Sequence, residues 1–155
     1  DLMVLLSGPE PQRTLLEEKL FYELKNYNER VIFIKGIVEK EQKKEQFKNI
    51  TVFNFMTSKE LEIAMNESEK ILCRSGYTTI MDLIKLKKKA FFIPTTGQFE
   101  QEYLANKMKR SGFVPYSEQE NFTIHLLKEV ELYTGFPDIA QPIHWKNLFD
   151  LFESE

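Results

Sequence analysis

The sequence has one cysteine, Cys73, in 155 residues. A single thiol cannot close a disulfide within the chain or build a cysteine-cluster metal site, and such usage fits a reducing compartment. Long hydrophobic runs are missing too: no apolar stretch approaches the ~20 residues that a membrane span needs, and no secretory signal is read before the first apolar run. A cytoplasmic location is the expectation. Neither sign of charge dominates, with 21 Lys and Arg against 24 Asp and Glu for a net charge of −3. No overall field therefore favours nucleic acid or an anionic membrane surface, and the Lys-rich stretches Lys40–Lys48 and Lys85–Lys89 read as solvated helix faces. The two histidines, His125 and His144, have no neighbouring nucleophile or motif and read as packing or surface residues. Neither G-x-G-x-x-G nor G-x-x-x-x-G-K-[ST] occurs, which disfavours ordinary NAD and ATP folds.

What is present is enough apolar matter for one domain, 42% hydrophobic and 13% aromatic. Short runs nearly continuous in Val, Ile, Leu and Phe, at Leu2–Leu6, Val31–Ile34, Thr51–Phe53, Ile71–Cys73 and Ala90–Ile93, predict strands buried on both faces. Between them, Glu10–Tyr27, Ser58–Glu69, Thr79–Lys87 and Glu100–Ser111 predict helices. In the first, Pro11 stands near the start and Leu15, Leu16, Leu20 and Leu24 recur at helical spacing. In the second, Thr57 and Glu60 fit a capping box ahead of Leu61, Ile63, Ala64 and Met65. Val38–Asn49 is highly charged and reads as a short helix or a long loop. Phe113–Val114 suggests a short sixth strand, Phe122–Leu132 a helix, and Trp145–Phe152 a closing helix, so that residues 133–155 form a wrapping tail. Strand alternating with helix predicts an α/β fold in three layers, a Rossmann-like parallel sheet of about six strands with helices on both faces. The opening "DLMVLLSGPE" enters a strand without an initiator methionine, and a C-terminal fragment of a larger protein is the expectation.

In a parallel sheet, every loop that follows a strand opens on the same rim. Here those loops are Ser7–Pro11, Lys35–Val38, Asn54–Ser58, Ser75–Thr79 and Pro94–Gln101, and they hold Gly8, Gly36, Gly76 and Gly97. With the doubly wound order 3-2-1-4-5, Ser7-Gly8 and Ser75-Gly76 face each other across the switch-point crevice. Such an arrangement suits a diphosphate: glycines permit close backbone approach, Ser7, Ser75, Thr78 and Thr79 can donate, and the helix that follows adds roughly half a positive charge. Two tight strand-to-helix turns would have the same composition. Asp82, expected in the first turn of that helix, is either an acid favoured by the helix dipole at ~0.3–1 kcal/mol or a carboxylate for the two hydroxyls of a ribose.

The segment "ILCRSGYTTIMDLIKLKKKAFFIPTTGQFEQEYLANKMKRSGFV", Ile71 to Val114, resembles the donor-binding, C-terminal half of the GT-B glycosyltransferases, in the MurG-like family 28. The shared elements are a strand ending in Arg-Ser-Gly, a Thr-rich helix start, an acid in the first turns, a strand ending in Ile-Pro, and an acid-Gln pair opening the next helix. The likeness is looser from Leu2 to Glu69, where "LLSGPEPQRTLLE" occupies the place of the family's first glycine loop.

The resemblance implies a diphosphate site at Ser7, Gly8, Ser75, Gly76, Thr78 and Thr79, with ribose on Asp82, one methylene shorter than the Glu of the peptidoglycan enzymes. It implies uracil on the main chain of Phe55, Met56 and Thr57, and sugar hydroxyls on Glu100, Gln101 and Glu102; helix-end acids favoured by the dipole would put Glu100–Glu102 in the same place. It also implies a catalytic base in an N-terminal acceptor domain outside this chain, which could hold the protein at the periphery of the inner membrane. The donor is then a UDP-sugar, with no cofactor and no metal; the absence of Asp-x-Asp, the metal-diphosphate signature of the other glycosyltransferase fold class, agrees with charge stabilisation by dipole and backbone. Transfer of a hexose or N-acetylhexosamine to an acceptor hydroxyl is the leading function. A UDP-sugar epimerase or hydrolase of the same architecture is an alternative, as is a non-catalytic nucleotide-sugar-binding subunit paired with a separate acceptor subunit.

Overall fold

A computed structural model describes residues 1–138, and the expected closing helix Trp145–Phe152 and His144 lie outside them. Six strands form one sheet: β1 (Leu2–Leu5), β2 (Val31–Ile34), β3 (Lys44–Phe47), β4 (Ile50–Phe53), β5 (Lys70–Cys73) and β6 (Lys89–Phe92). Their order is β3-β4-β2-β1-β5-β6, and every pair is parallel except β3 with β4. Leaving out β3, this is the expected doubly wound order, reversing direction between β1 and β5. Leu5 lies opposite both Ile34 and Cys73, Ile34 opposite Phe53, and Cys73 opposite Phe92, so the parallel strands end level and their loops emerge on one rim.

Four α-helices cover the sheet: α1 (Gln12–Glu23), α2 (Ser58–Glu67), α3 (Tyr77–Leu86) and α4 (Phe99–Arg110). Side-chain alternation along the strands divides the core in two. Leu2, Val4, Val31, Phe33 and Val52 face α1, which buries Leu16 and Leu20; Met3, Ile71, Cys73, Ala90 and Phe92 face α2, α3 and α4. Burying each large aliphatic side chain contributes about 1.5–3 kcal/mol, which is what fastens each helix to its face. Leu15 and Ile63, expected in the apolar stripes, instead point outward, about half exposed. The capping box is present at α2, where Thr57 Oγ1 accepts from the Glu60 amide at 3.3 Å and Glu60 Oε2 accepts from the Thr57 amide at 2.7 Å. Helix α1 is shorter than expected, ending in a 3-10 turn at Leu24–Asn26.

Three further elements differ from expectation. Within Val38–Asn49 the chain makes neither helix nor plain loop but the antiparallel edge strand β3, turning into β4 at Lys48, whose φ is 53°. Buried Asn54 holds the approach to that hairpin, accepting from the Lys43 amide at 2.7 Å and donating to the Glu41 carbonyl at 2.9 Å. Phe113–Val114 is not a strand; the chain meets β6 one step later through a bridge between Phe92 and Tyr116. Ile124–Leu132 is a 3-10 helix covering the α1 face with Leu127 and Val130. Cys73 is fully buried, and burial pushes its thiol pKa up, so it is a packing residue rather than a nucleophile. Among the described residues, no helix is long and apolar enough to cross a membrane.

Candidate switch-point site

Strand β1 delivers Ser7 and Gly8 to the rim, where both are exposed. Gly8 has φ of +106°, and a β-carbon there would lie 3.4 Å from Thr95 Oγ1 in the loop after β6. The loop after β2 presses on the same backbone from the other side: a β-carbon at Gly36 (φ +71°) would meet the Leu6 carbonyl oxygen at 2.3 Å. Only glycine permits that approach. The first glycine loop is thus held between the loops after β2 and β6.

The loop after β5 is short. Gly76 caps α3 in extended conformation and Tyr77 begins the helix, two residues earlier than the sequence suggested. Thr78 and Thr79 therefore lie inside the first turn, and Asp82 is the sixth helical residue rather than a first-turn acid. Dipole stabilisation falls off beyond the first turn, which weakens the helix-end account of Asp82. Thr78 and Asp82, one turn apart, line a groove of about 320 Å³ between α3 and α2, with Ser58, Leu61, Glu62 and Met65 on the α2 side and Lys85 and Leu86 further along α3. That groove reaches Ser58, which follows the expected base loop, but Phe55, Met56 and Thr57 do not line it, nor do Ser7, Gly8, Ser75 and Gly76; Met56 lines a separate groove with Phe53, Glu60 and Ile63.

Ser75 differs from expectation in its hydroxyl. The residue is buried and Oγ donates to the Gln101 carbonyl at 2.7 Å, so the side chain fastens the loop to α4. In the base loop, the Phe55 amide donates to Asn54 Oδ1 at 3.0 Å and the Phe55 carbonyl accepts from Gln42 Nε2 at 2.9 Å. The Thr57 amide serves the capping box. Among the described residues, the Met56 amide and carbonyl have no hydrogen-bond partner, so Met56 is the one member of the three with its main chain open on both sides.

At the start of α4, Gln101 Oε1 accepts from the Thr95 amide and Glu102 Oε1 from the Gly97 amide, both at 2.9 Å. These two side chains shape the loop Pro94–Gln98, and Glu100 stands exposed beside them. A depression of about 180 Å³ next to this loop is lined by Pro94, Thr96, Glu102, Glu118, Gln119 and Glu120. His125 is exposed on the 3-10 helix. Among the described residues, no three His, Cys, Asp or Glu side chains form a group that could hold a metal ion.

Sequence reasoning missed Arg74, the residue between Cys73 and Ser75. It is 1% exposed and lies under the rim, where Nη1 donates to the carbonyls of Ile93 at 3.2 Å and Pro94 at 3.3 Å, and Nη2 to that of Gln12 at 3.1 Å. Arg13, also buried, is paired with Glu10 at 2.7 Å and Glu17 at 2.6 Å; no ion pair reaches Arg74 among the described residues. Burial pushes the Arg74 pKa down to about 10, leaving it cationic at neutral pH. The sequence signal was available: an arginine ending an apolar strand must either leave the sheet or be buried with it.

Residues 11–138 match the family described as the glycosyltransferase family 28 C-terminal domain. No curated protein sequence matches the chain. Among solved structures, the glycosyltransferase SnogD from Streptomyces nogalater is similar with a TM-score of 0.63 at 14% identity, over 83% of this chain and 34% of that one. The glycotransferase of kitacinnamycin is similar at 0.62 and 14%, over 83% and 33%. The solution structure of ALG13 is similar at 0.64 and 19%, over 99% of this chain and 96% of that one. The chain therefore spans about a third of the first two structures and nearly all of the third; at these identities the likeness is one of fold.

Proposed function

Because this chain belongs to the glycosyltransferase family 28 C-terminal domain family, we propose that it binds the donor of a GT-B glycosyltransferase, a UDP-sugar, at the switch-point rim. The observation that carries this reading is the groove in which Thr78 and Asp82 face α2 from Ser58 onward; the Met56 main chain, open at both amide and carbonyl among the described residues, stands two residues before Ser58 in the loop that leads into α2. An N–H and a C=O on one residue match the adjacent acceptor and donor on the edge of uracil. Asp82 then accepts from the ribose hydroxyls, and the diphosphate runs from Thr78 toward Gly76 and Gly8 along the N-terminus of α3, where amides and dipole favour negative charge. The hexose or N-acetylhexosamine reaches the loop that Gln101 and Glu102 shape, with Glu100 at its edge.

In this reading an acceptor hydroxyl attacks the anomeric carbon, the bond to the diphosphate oxygen breaks, and UDP leaves with the bond's electron pair. The acceptor's proton passes to a base on the acceptor side, outside this chain. What the chain contributes is orientation of the donor and stabilisation of the leaving diphosphate by preorganised N–H groups, with no metal required. An acceptor domain on a separate polypeptide is the second reading, supported by the ALG13 structure, whose fold is nearly coextensive with this chain.

Titration with UDP, followed by amide NMR, tests the reading, with UMP and ADP as controls. Shifts at Met56, Thr78, Asp82 and Gly8 that are stronger for UDP than for either control are expected; equal response to ADP would remove the uracil assignment.

A further inference from the structure

We infer that Arg74 is a positioning and specificity residue: a buried cation with no carboxylate partner among the described residues, placed under the rim so that a diphosphate supplies its missing counter-charge and two loops are held ready to receive it. This rests on the diphosphate position proposed above, and it starts from contacts that the sequence did not reveal.

The guanidinium touches three carbonyls from two separate segments. Gln12 begins α1 and so closes the Ser7–Gly8 loop; Ile93 and Pro94 lead into the loop of Thr95, whose hydroxyl is the atom a β-carbon at Gly8 would meet. Arg74 itself precedes Ser75. One side chain thus connects the loops after β1, β5 and β6. Polar bonding around it is incomplete: among the described residues, the buried side-chain atoms with no hydrogen-bond partner are Arg74 Nε, Thr95 Oγ1 and Gln119 Oε1. Gln119 in turn approaches Gln12, with Nε2 at 3.5 Å from its Oε1. All three orphan atoms therefore belong to one neighbourhood beneath the rim.

A mere staple would not need the charge. Carbonyl contacts offset part of the desolvation of a guanidinium, but a buried ion without an opposite charge is costly, and even buried ion pairs can often be replaced by apolar groups of similar volume without loss of stability. Elsewhere the chain does neutralise a buried arginine, placing Glu10 and Glu17 on Arg13. At Arg74, among the described residues, it does not, and the loops above are those expected to meet an anion. In the low-dielectric floor of the crevice an unneutralised cation discriminates strongly between a diphosphate and an uncharged nucleoside. Contact with the ligand is not required, because the field acts through the loop backbone.

The test uses the whole chain as the unmodified protein, Arg74→Met and Arg74→Lys, titrated with UDP, ADP, inorganic pyrophosphate and uridine. Arg74→Met is expected to weaken UDP by about 10–100-fold while uridine changes by no more than about threefold, and Arg74→Lys to keep most of the preference for UDP over uridine. Loss of UDP and uridine in equal proportion, or of neither, would overturn the inference and leave Arg74 as a staple. Should Arg74→Met fail to fold, Arg74→Gln, which keeps N–H donors without the charge, takes its place: UDP weakened more than uridine supports the role of the charge, and both weakened equally, or neither, overturns it. If UDP, ADP and pyrophosphate all bind the unmodified chain alike and all weaken in Arg74→Met, the uridine reading fails while the role of Arg74 stands. If no anion binds the unmodified chain, both fail.

Discussion

Ser75 Oγ donates to the main-chain carbonyl of Gln101 at 2.7 Å, joining the end of β5 to the first turn of α4 across 26 positions of sequence. A serine expected to face a diphosphate with its hydroxyl instead spends it on the scaffold. Its substitution should therefore register in stability before it registers in binding. Ser75→Ala is expected to lower unfolding free energy by about 0.5–1.5 kcal/mol, since one buried hydrogen bond is lost. Urea denaturation measures this, and UDP affinity in the same variant should fall only a few-fold.

Asp82 should behave in the opposite way. It is exposed on α3 and lines the groove with no hydrogen-bond or ion-pair partner of its side chain among the described residues. Asp82→Ala is expected to leave the melting temperature unchanged and to weaken UDP by about tenfold, the size of one or two hydrogen bonds to a charged acceptor. Asp82→Glu should bind nearly as well as the unmodified chain. Isothermal titration of the three proteins checks both statements, and an unchanged affinity in Asp82→Ala would take the residue out of the site.

Gly36 offers a purely steric prediction. A β-carbon there meets the Leu6 carbonyl oxygen at 2.3 Å, and the positive φ of +71° adds backbone strain. Gly36→Ala should cost about 2–4 kcal/mol and displace the Ser7–Gly8 loop. Thermal unfolding gives the first quantity, and amide shifts at Ser7 and Gly8 report the second.

Acid should destabilise the fold in a defined window. The Thr14 hydroxyl and Arg13 hold Glu10 below the ordinary carboxylate value of 4.5, the Asn54 amide and Lys43 hold Glu39, the Thr57 amide and hydroxyl hold Glu60, and Lys70 and Lys89 hold Glu131. A carboxylate whose pKa is lower folded than unfolded contributes stability that is fully present above its unfolded pKa and is lost as pH falls through its folded one. Stability should thus be level from neutrality down to about pH 5 and decline below about pH 4.5. Glu10, Glu39 and Glu131 are exposed and Glu60 is only partly buried, so each contributes little and screening by salt should flatten the decline. Thr57→Ala, which removes the capping hydroxyl, should cost about 1 kcal/mol at neutral pH and less in acid, where Glu60 is protonated. A pH series of denaturation curves on the two proteins measures both effects.

The parallel strands were legible because burial on both faces leaves continuous runs such as Val31–Ile34, and the doubly wound order followed from the alternation with helices. β3 was not legible for the converse reason. Lys44, Glu45, Gln46 and Phe47 are all exposed, so neither apolar face nor alternation marked the strand, and its turn at Lys48-Asn49 lacks the glycine of common two-residue hairpins. Phe113–Val114 looked like a strand, but Pro115 follows and has no N–H to continue a ladder; the contact with β6 passes through the Pro115 carbonyl and the Ser117 amide instead. Ile124–Leu132 has helical spacing yet coils more tightly.

At the site, residue types were readable and side-chain directions were not. Thr78 and Asp82 share a helix face by their spacing of four, so their meeting in one groove could be foreseen. Whether Gln101 and Glu102 turn toward a sugar or toward the Thr95 and Gly97 amides depends on how the loop after β6 folds back, which no local pattern encodes. Arg74 was hidden for a similar reason: the quoted segment contains it, but only the packed structure shows that, among the described residues, a cation there goes without a carboxylate.

Cys73, sealed in the core with its thiol held protonated, has a practical corollary for spectroscopy. It is the chain's sole cysteine, so a thiol introduced at an exposed position such as Thr96 would be the only one open to alkylation. A fluorophore or spin label attached there needs no prior removal of native cysteine, and distances across the crevice could be read with the remainder of the sequence unaltered.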